Sequence, residues 1–219
     1  MLRCRGGDFV YSDSEMDTML EDLKVLSTFG ADGFVFGALT VTNEVDIGNC
    51  QRITAAAKPL PVTFHRAFDH CNNWQKSINC IIDAGFSTIL TRYHTVKFLS
   101  VAFKRQSIIP LQASYISFSS SSCKQKIVTE GVSLLREITK EYKGRIEIMA
   151  GSGVTPENIS VLLKEAPDLD AVHSSASVPR KSLQAAPNTT IPLGTFDGNN
   201  QKETSKDIVS QLVAAAKTK

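Results

Sequence analysis

Five short apolar runs, each following a longer amphipathic stretch, constrain this chain more than any other feature. They are Gly33–Leu39 (GFVFGAL), Pro61–Phe64 (PVTF), Phe86–Thr91 (FSTILT), Arg145–Met149 (RIEIM) and Leu169–His173. Runs of this length, apolar on both faces, suit strands of a parallel sheet, which needs helical crossovers between them. The intervening stretches supply those helices. Ser12–Phe29 places Met16, Met19, Leu20, Leu23 and Leu26 at helical spacing, with Ser12 or Ser14 as cap and Gly30 as stop. Asp46–Lys58 ends before Pro59, and Trp74–Ala84, Val128–Tyr142, Thr155–Glu165 and Lys206–Lys217 complete the set. The joints FGADGFVFG and DAGFSTILT repeat one pattern, with APDLDAVHS a looser copy. No tight hairpin signal such as Asn-Gly separates the strands. The fold class is therefore α/β, a barrel or a doubly wound sheet.

Composition narrows the function. At 219 residues the chain is long enough to bury a sizeable core. A net charge of +2 gives no reason to expect nucleic acid or an anionic membrane as partner. No apolar run reaches the roughly 18 residues of a membrane span, and MLRCRGGDF lacks the apolar centre of a secretory signal. The five cysteines, Cys4, Cys50, Cys71, Cys80 and Cys123, are odd in number and form no CxxC pair. Free thiols in a reducing compartment, the cytoplasm by default, are expected.

One segment breaks the pattern. Arg92–Lys126 holds six basic residues and no Asp, Glu or Gly, and includes the serine run Ser119–Ser122. It reads as a disordered basic insertion, since a structureless loop of that length is foreign to a compact domain. A nucleic-acid or regulatory arm is the weaker reading, because regular spacing and interleaved glycines are missing. The organisation expected is one domain over residues 1–177 interrupted at 92–126, a loop over 178–204, and a closing helix over 205–219 of the same domain.

Chemistry concentrates where strands end. PVTFHRAFD delivers His65, Arg66 and Asp69 at the carboxyl end of one strand, the end at which parallel α/β sheets bind ligands. MAGSGVTPEN ends another strand in Gly151, Ser152 and Gly153, with Thr155 at the expected N-cap and Pro156 in the first turn. Glycines admit a ligand close to the backbone, and such a loop either holds an anion or is a plain turn. AVHSSAS brings His173, Ser174 and Ser175 to the same mouth. RCRGGDF sets Arg3 and Arg5 before a Gly-Gly turn, where two guanidiniums suit a carboxylate or phosphate. A serine hydrolase is not supported, because no Gly-x-Ser-x-Gly elbow is present.

Taken in order, RGGDFVYSD, GADGFVFGALT, PLPVTFHRAFD, GRIEIMAGSGV and VHSSAS resemble the copper homeostasis protein CutC family. The resemblance covers Arg3–Thr91 and Val128–Ser177. It implies a (β/α)8 TIM-type barrel, copper handling with Cu(I) binding, a cytoplasmic and in animals also nuclear location, and self-association. Carried over, the family's strand-end residues fall on Arg3, Arg5, His65, Arg66, Asp69, Gly151–Gly153, His173 and Ser174. Two departures stand out. The chain starts at what would be the family's third strand, so the first two β/α units and their cysteines are expected to be absent and the barrel incomplete. Thr91 also runs into Arg92 and the basic insertion, where the family has a Thr-Ser-Gly turn.

Three readings of function follow. The resemblance implies copper homeostasis, with copper bound and buffered without turnover. The residues themselves suit a barrel enzyme for a small anionic or phosphorylated molecule, with His65 as acid or base, Asp69 orienting it or Arg66, and Arg3, Arg5 and the Gly151–Gly153 loop holding the anion. The third is an inactive truncated isoform. No copper ligands are assignable from the sequence, because Cu(I) favours thiolate and thioether donors and the remaining cysteines are not fixed in one place.

Overall fold

Helix α1 (Asp13–Thr28) begins with a reciprocal capping box. Ser12 Oγ accepts from the Glu15 amide, while the Glu15 carboxylate accepts from Ser12 N–H at 2.8 Å. Its Met16, Met19 and Leu23 are buried on one face, and Gly30, at φ +83°, turns the chain out of the helix. The same logic starts α2 (Ile47–Ala57), capped by Asp46, and α3 (Trp74–Asp83), capped by Asn73. The computed structural model describes residues 1–92, 124–180 and 202–217.

The strands are β1 (Phe34–Phe36), β2 (Val62–Phe64), β3 (Thr88–Arg92), β4 (Glu147–Gly151) and β5 (Ala171–Val172), with α4 (Lys124–Glu141) before β4 and α5 (Ile159–Glu165) before β5. They form one parallel sheet in sequential order. This is the α/β class expected, and the arc is consistent with part of a (β/α)8 barrel. At β1's outer side, the Leu2 amide donates to the Val35 carbonyl at 2.8 Å.

The two faces of the sheet differ. Phe34, Phe36, Val62, Phe64, Ile89 and Ile148 are buried beneath the helices and carry the core. Val35, Thr63, Leu90 and Met149 alternate with them on the opposite face and are half-buried. That second face is the floor of the site described below.

Three expectations change. The last helix of the β4 unit begins at Ile159 rather than Thr155: Asn158 Oδ1 accepts from Thr155 N–H at 2.9 Å and its Nδ2 donates to the Gly153 carbonyl at 2.7 Å. Those two bonds fold residues 153–158 into a turn, so Thr155 is not the cap. The span taken as a loop contains a strand. β7 (Lys202–Thr204) pairs antiparallel with β6 (Ser177–Pro179), and α6 (Lys206–Lys217) follows as expected. Partners so distant in sequence need no hairpin turn, which is why turn chemistry gave no sign of them. Helix α4 reaches back to Lys124, into the basic stretch. Residues 93–123, where the disordered insertion was expected, lie outside the described residues, as does Cys123.

Candidate functional site

The site begins with parallel register. Val35 pairs with Thr63, Thr63 with Thr88, Leu90 with Met149, and Met149 with Ala171. Extended one step past β1 and β2, this register sets Gly37 beside His65, and the next along is Leu90. A cavity of about 960 Å³ opens over this row, lined among others by Arg3, Phe9, His65, Arg66, Leu90, Met149 and His173. Its size is that of a small-molecule site.

His65 is the central group. Its side chain leaves β2 just before the 3-10 helix η1 (Arg66–His70), and the residue is only 5% exposed. Nδ1 accepts from Ala67 N–H at 3.2 Å, which assigns the ring proton to Nε2. Nε2 is buried and has no hydrogen-bond partner among the described residues. Burial pushes the imidazole down to about 4, with the charge of Arg3 adding to it and a hydrogen bond with its own backbone opposing. It is therefore a neutral N–H donor at physiological pH. Gly37 makes room for it: a Cβ there would lie 2.6 Å from His65 Nδ1 and 2.8 Å from Cε1.

Arg66 and Asp69 close on one another across η1, Nε donating to Oδ2 at 3.0 Å. Asp69 Oδ1 accepts from Thr91 Oγ1 at 2.9 Å and from the Arg92 amide at 3.0 Å. Asp69 thus ties η1 to β3 and does not touch His65's ring nitrogens. Arg3 is planted by two backbone carbonyls, Arg5 O at 3.0 Å and Gly7 O at 2.9 Å. Its guanidinium lies 4.9 Å from the Phe9 ring, whose other neighbour is His65 at 5.0 Å between centroids. Nη1 of Arg3 has no partner among the described residues.

Arg5 does different work. It bonds Glu15, Asp8 and the Val10 carbonyl and lies over Tyr11, fixing the N-terminal turn onto α1. Its own pKa is raised and that of Asp8 lowered by this pairing, so its charge is already matched. His173 lines the cavity from the β5 side, and its amide donates to the Ala150 carbonyl at 2.8 Å. Gly151 is packed hard: a Cβ there would meet Leu90 Cδ1 at 2.8 Å and His173 Cβ at 3.5 Å. Ser174 Oγ donates to the Val154 carbonyl at 2.7 Å and accepts from Ala176 N–H at 3.1 Å, stitching two loops together. Ser152 and Gly153 have positive φ, 58° and 110°, and form the turn that Asn158 closes.

The structure thus gathers Arg3, His65, Arg66 and His173 around one cavity, and gives Arg5, Asp69, Gly151 and Ser174 supporting contacts. Sequence reasoning did not single out Phe9, Gly37, Leu90 or Met149. Gly37 carried a signal, a glycine one step beyond a buried FVF run and level with His65 in parallel register.

The two buried thiols face elsewhere. Cys50 Sγ donates to the Ala38 carbonyl and Cys71 Sγ to that of Ala67, both buried. Burial pushes Cys50 up to about 12 and Cys71 up to about 11, so both stay protonated. Among the described residues no three His, Cys, Asp or Glu side chains gather to hold a metal ion.

A parallel α/β arc whose strand ends open on a cavity lined by a buried imidazole and two arginines is the architecture of a barrel-type protein. The chain belongs to the CutC family, whose model matches residues 1–118 and 119–178. It is 35% identical to a copper homeostasis protein cutC homolog of Caenorhabditis elegans over 98% of its own length and 72% of the relative's. The Mus musculus homolog of the same name is 32% identical over 99% and 70%. A crystal structure of the copper homeostasis protein CutC from Streptococcus agalactiae superposes with a TM-score of 0.60, at 29% identity, covering 79% of this chain and 70% of that one.

Proposed function

We propose that the protein acts in intracellular copper homeostasis, the role its relatives' names carry, and that its described residues contribute a site for a small anionic molecule. The observation that carries the second part is the cavity that His65 and Arg3 line together, with the buried Nε2–H of His65 unpartnered among the described residues. A buried donor left without an acceptor costs about 1–3 kcal/mol, a cost that a bound acceptor removes. The two buried thiols do not fit a Cu(I) centre. Cu(I) prefers thiolate and thioether ligands, whereas Cys50 and Cys71 are protonated, turned to carbonyls and away from the cavity lining.

Titration separates the two parts. With Cu(I) held by a competing chelator, Cys50→Ala and Cys71→Ala leave any copper uptake unchanged, and both thiols resist alkylation at pH 7.5 until the chain unfolds. Small anions, by contrast, bind the unsubstituted chain and are lost with His65→Phe. Stoichiometric Cu(I) uptake that disappears with either cysteine would overturn the exclusion of these thiols as copper ligands, and anion binding that survives His65→Phe would overturn the anion-site reading.

The proposal places the protein in the cytoplasm, which the free state of Cys4, Cys50, Cys71 and Cys80 supports. It also includes self-association, because β5 ends the sheet with an edge that no described strand covers. Sedimentation velocity should show a species heavier than the 23.9 kDa monomer; a single monomeric boundary at high concentration rules this out.

A further inference from the structure

The cavity is polar at one end and apolar along its floor, and among the described side chains that line it one cation, Arg3, has no carboxylate partner. We propose that it takes a monocarboxylate with a branched or aromatic apolar body, the carboxylate on His65 Nε2–H and Arg3 and the body on Val35, Leu90 and Met149, with Gly37 positioning the imidazole. This rests on the small-anion reading above and names the ligand class.

Charge decides between carboxylate and phosphate. Of the two guanidiniums from described residues lining the cavity, Arg66 is matched by Asp69 at 3.0 Å, and Arg3 has two carbonyls and the Phe9 ring but no carboxylate among its described partners. The lining residue Asp8 is itself matched by Arg5 at 2.9 Å. His65 contributes a neutral donor, since burial holds its pKa near 4. One cation and one neutral N–H suit a monoanion and leave a phosphate dianion under-compensated. The loop that would hold a phosphate is closed on itself. Thr155 N–H already donates to Asn158 Oδ1, and the seven-residue α5 starts four residues later.

The floor decides the rest of the ligand. Val35, Leu90 and Met149 project from β1, β3 and β4 onto one face and are only half-buried, so an apolar body there removes them from water. The rim residue Phe9 lies against both Arg3 and His65 and shields the head group from solvent. Gly37 is indispensable to this arrangement, because a methyl group 2.6 Å from Nδ1 displaces the ring and turns Nε2–H away. Gly37's φ lies outside the left-handed region, so alanine tests the contact and not the backbone.

Calorimetry on the full chain tests this with 4-methylpentanoate, phenylacetate, acetate and inorganic phosphate as probes. The first two should bind at least about tenfold more tightly than acetate or phosphate, and Gly37→Ala and Arg3→Gln should each weaken them by about tenfold, the scale of one hydrogen bond to a charged group. Far-UV circular dichroism identifies a variant that has not folded, and Met149→Gln, on the floor, should weaken phenylacetate while leaving acetate unchanged. Phosphate binding that depends on His65, with no uptake of the apolar carboxylates, overturns this inference and keeps the small-anion reading. Uptake of none of the four overturns both. Carboxylates that bind equally well to Gly37→Ala and Arg3→Gln bind elsewhere, and the assignment fails.

Discussion

His65→Gln flattens the acid side of the stability curve. The native imidazole titrates near 4, against 6.5 for the free side chain, because burial disfavours its charged form. Between these two values the unfolded chain holds a proton that the native chain excludes. Stability therefore rises with pH through that window, is fully present above 6.5, and is lost as pH falls towards 4. The shift corresponds to about 3 kcal/mol between pH 6.5 and 4. Carboxylates add their own pH dependence in the lower part of the range, common to both proteins, so the comparison isolates His65. Urea unfolding at a series of pH values should show a steeper acid loss in the unsubstituted chain than in His65→Gln. Parallel curves would mean that the imidazole is not held neutral, and with that the donor assigned to the cavity would go.

The strands were readable in the sequence because their burial is one-dimensional. FVF, VTF and EIMAG alternate between a face beneath helices and a face over the cavity, and apolar side chains suit both. Helix starts were readable where the capping side chain is local, as with Ser12 and Glu15. They were misread where a competing local bond wins, as when Asn158 takes the Thr155 amide that would have opened a helix. Pairing between β6 and β7 depends on residues far apart in the chain, and no short-range pattern records it.

The site shows the same division. His65, Arg3, Arg66 and His173 declared themselves by residue type at strand ends. What the sequence did not display is which of several arginines keeps an unmatched charge. Arg5 and Arg3 look alike in RCRGGDF, yet only Arg5 meets carboxylates, from Asp8 and Glu15. The proposed site depends on that pairing, because it leaves Arg3 as the one cation without a carboxylate partner among the described side chains lining the cavity. Likewise Gly37 reads as a strand-end glycine until register brings the imidazole against it.

Asp69→Ala destabilises the chain by about 3 kcal/mol, since it removes the acceptor of the buried Thr91 hydroxyl and of the Arg92 amide together. The loss acts where η1 meets β3, so the urea midpoint should fall without loss of the far-UV signature of the helices. Asp69→Asn keeps an acceptor for Thr91 and should cost about half as much. The more telling consequence is electrostatic. Asp69 is the partner that matches Arg66, and its removal adds a second uncompensated guanidinium to the cavity rim. A dianion then becomes the better-compensated ligand. Inorganic phosphate should gain affinity in Asp69→Ala relative to the unsubstituted chain, while a monocarboxylate changes less. A stability change below about 1 kcal/mol would mean Asp69 does not tie η1 to β3. A phosphate affinity that stays put would mean that the Arg66–Asp69 pair does not set the charge the cavity selects for.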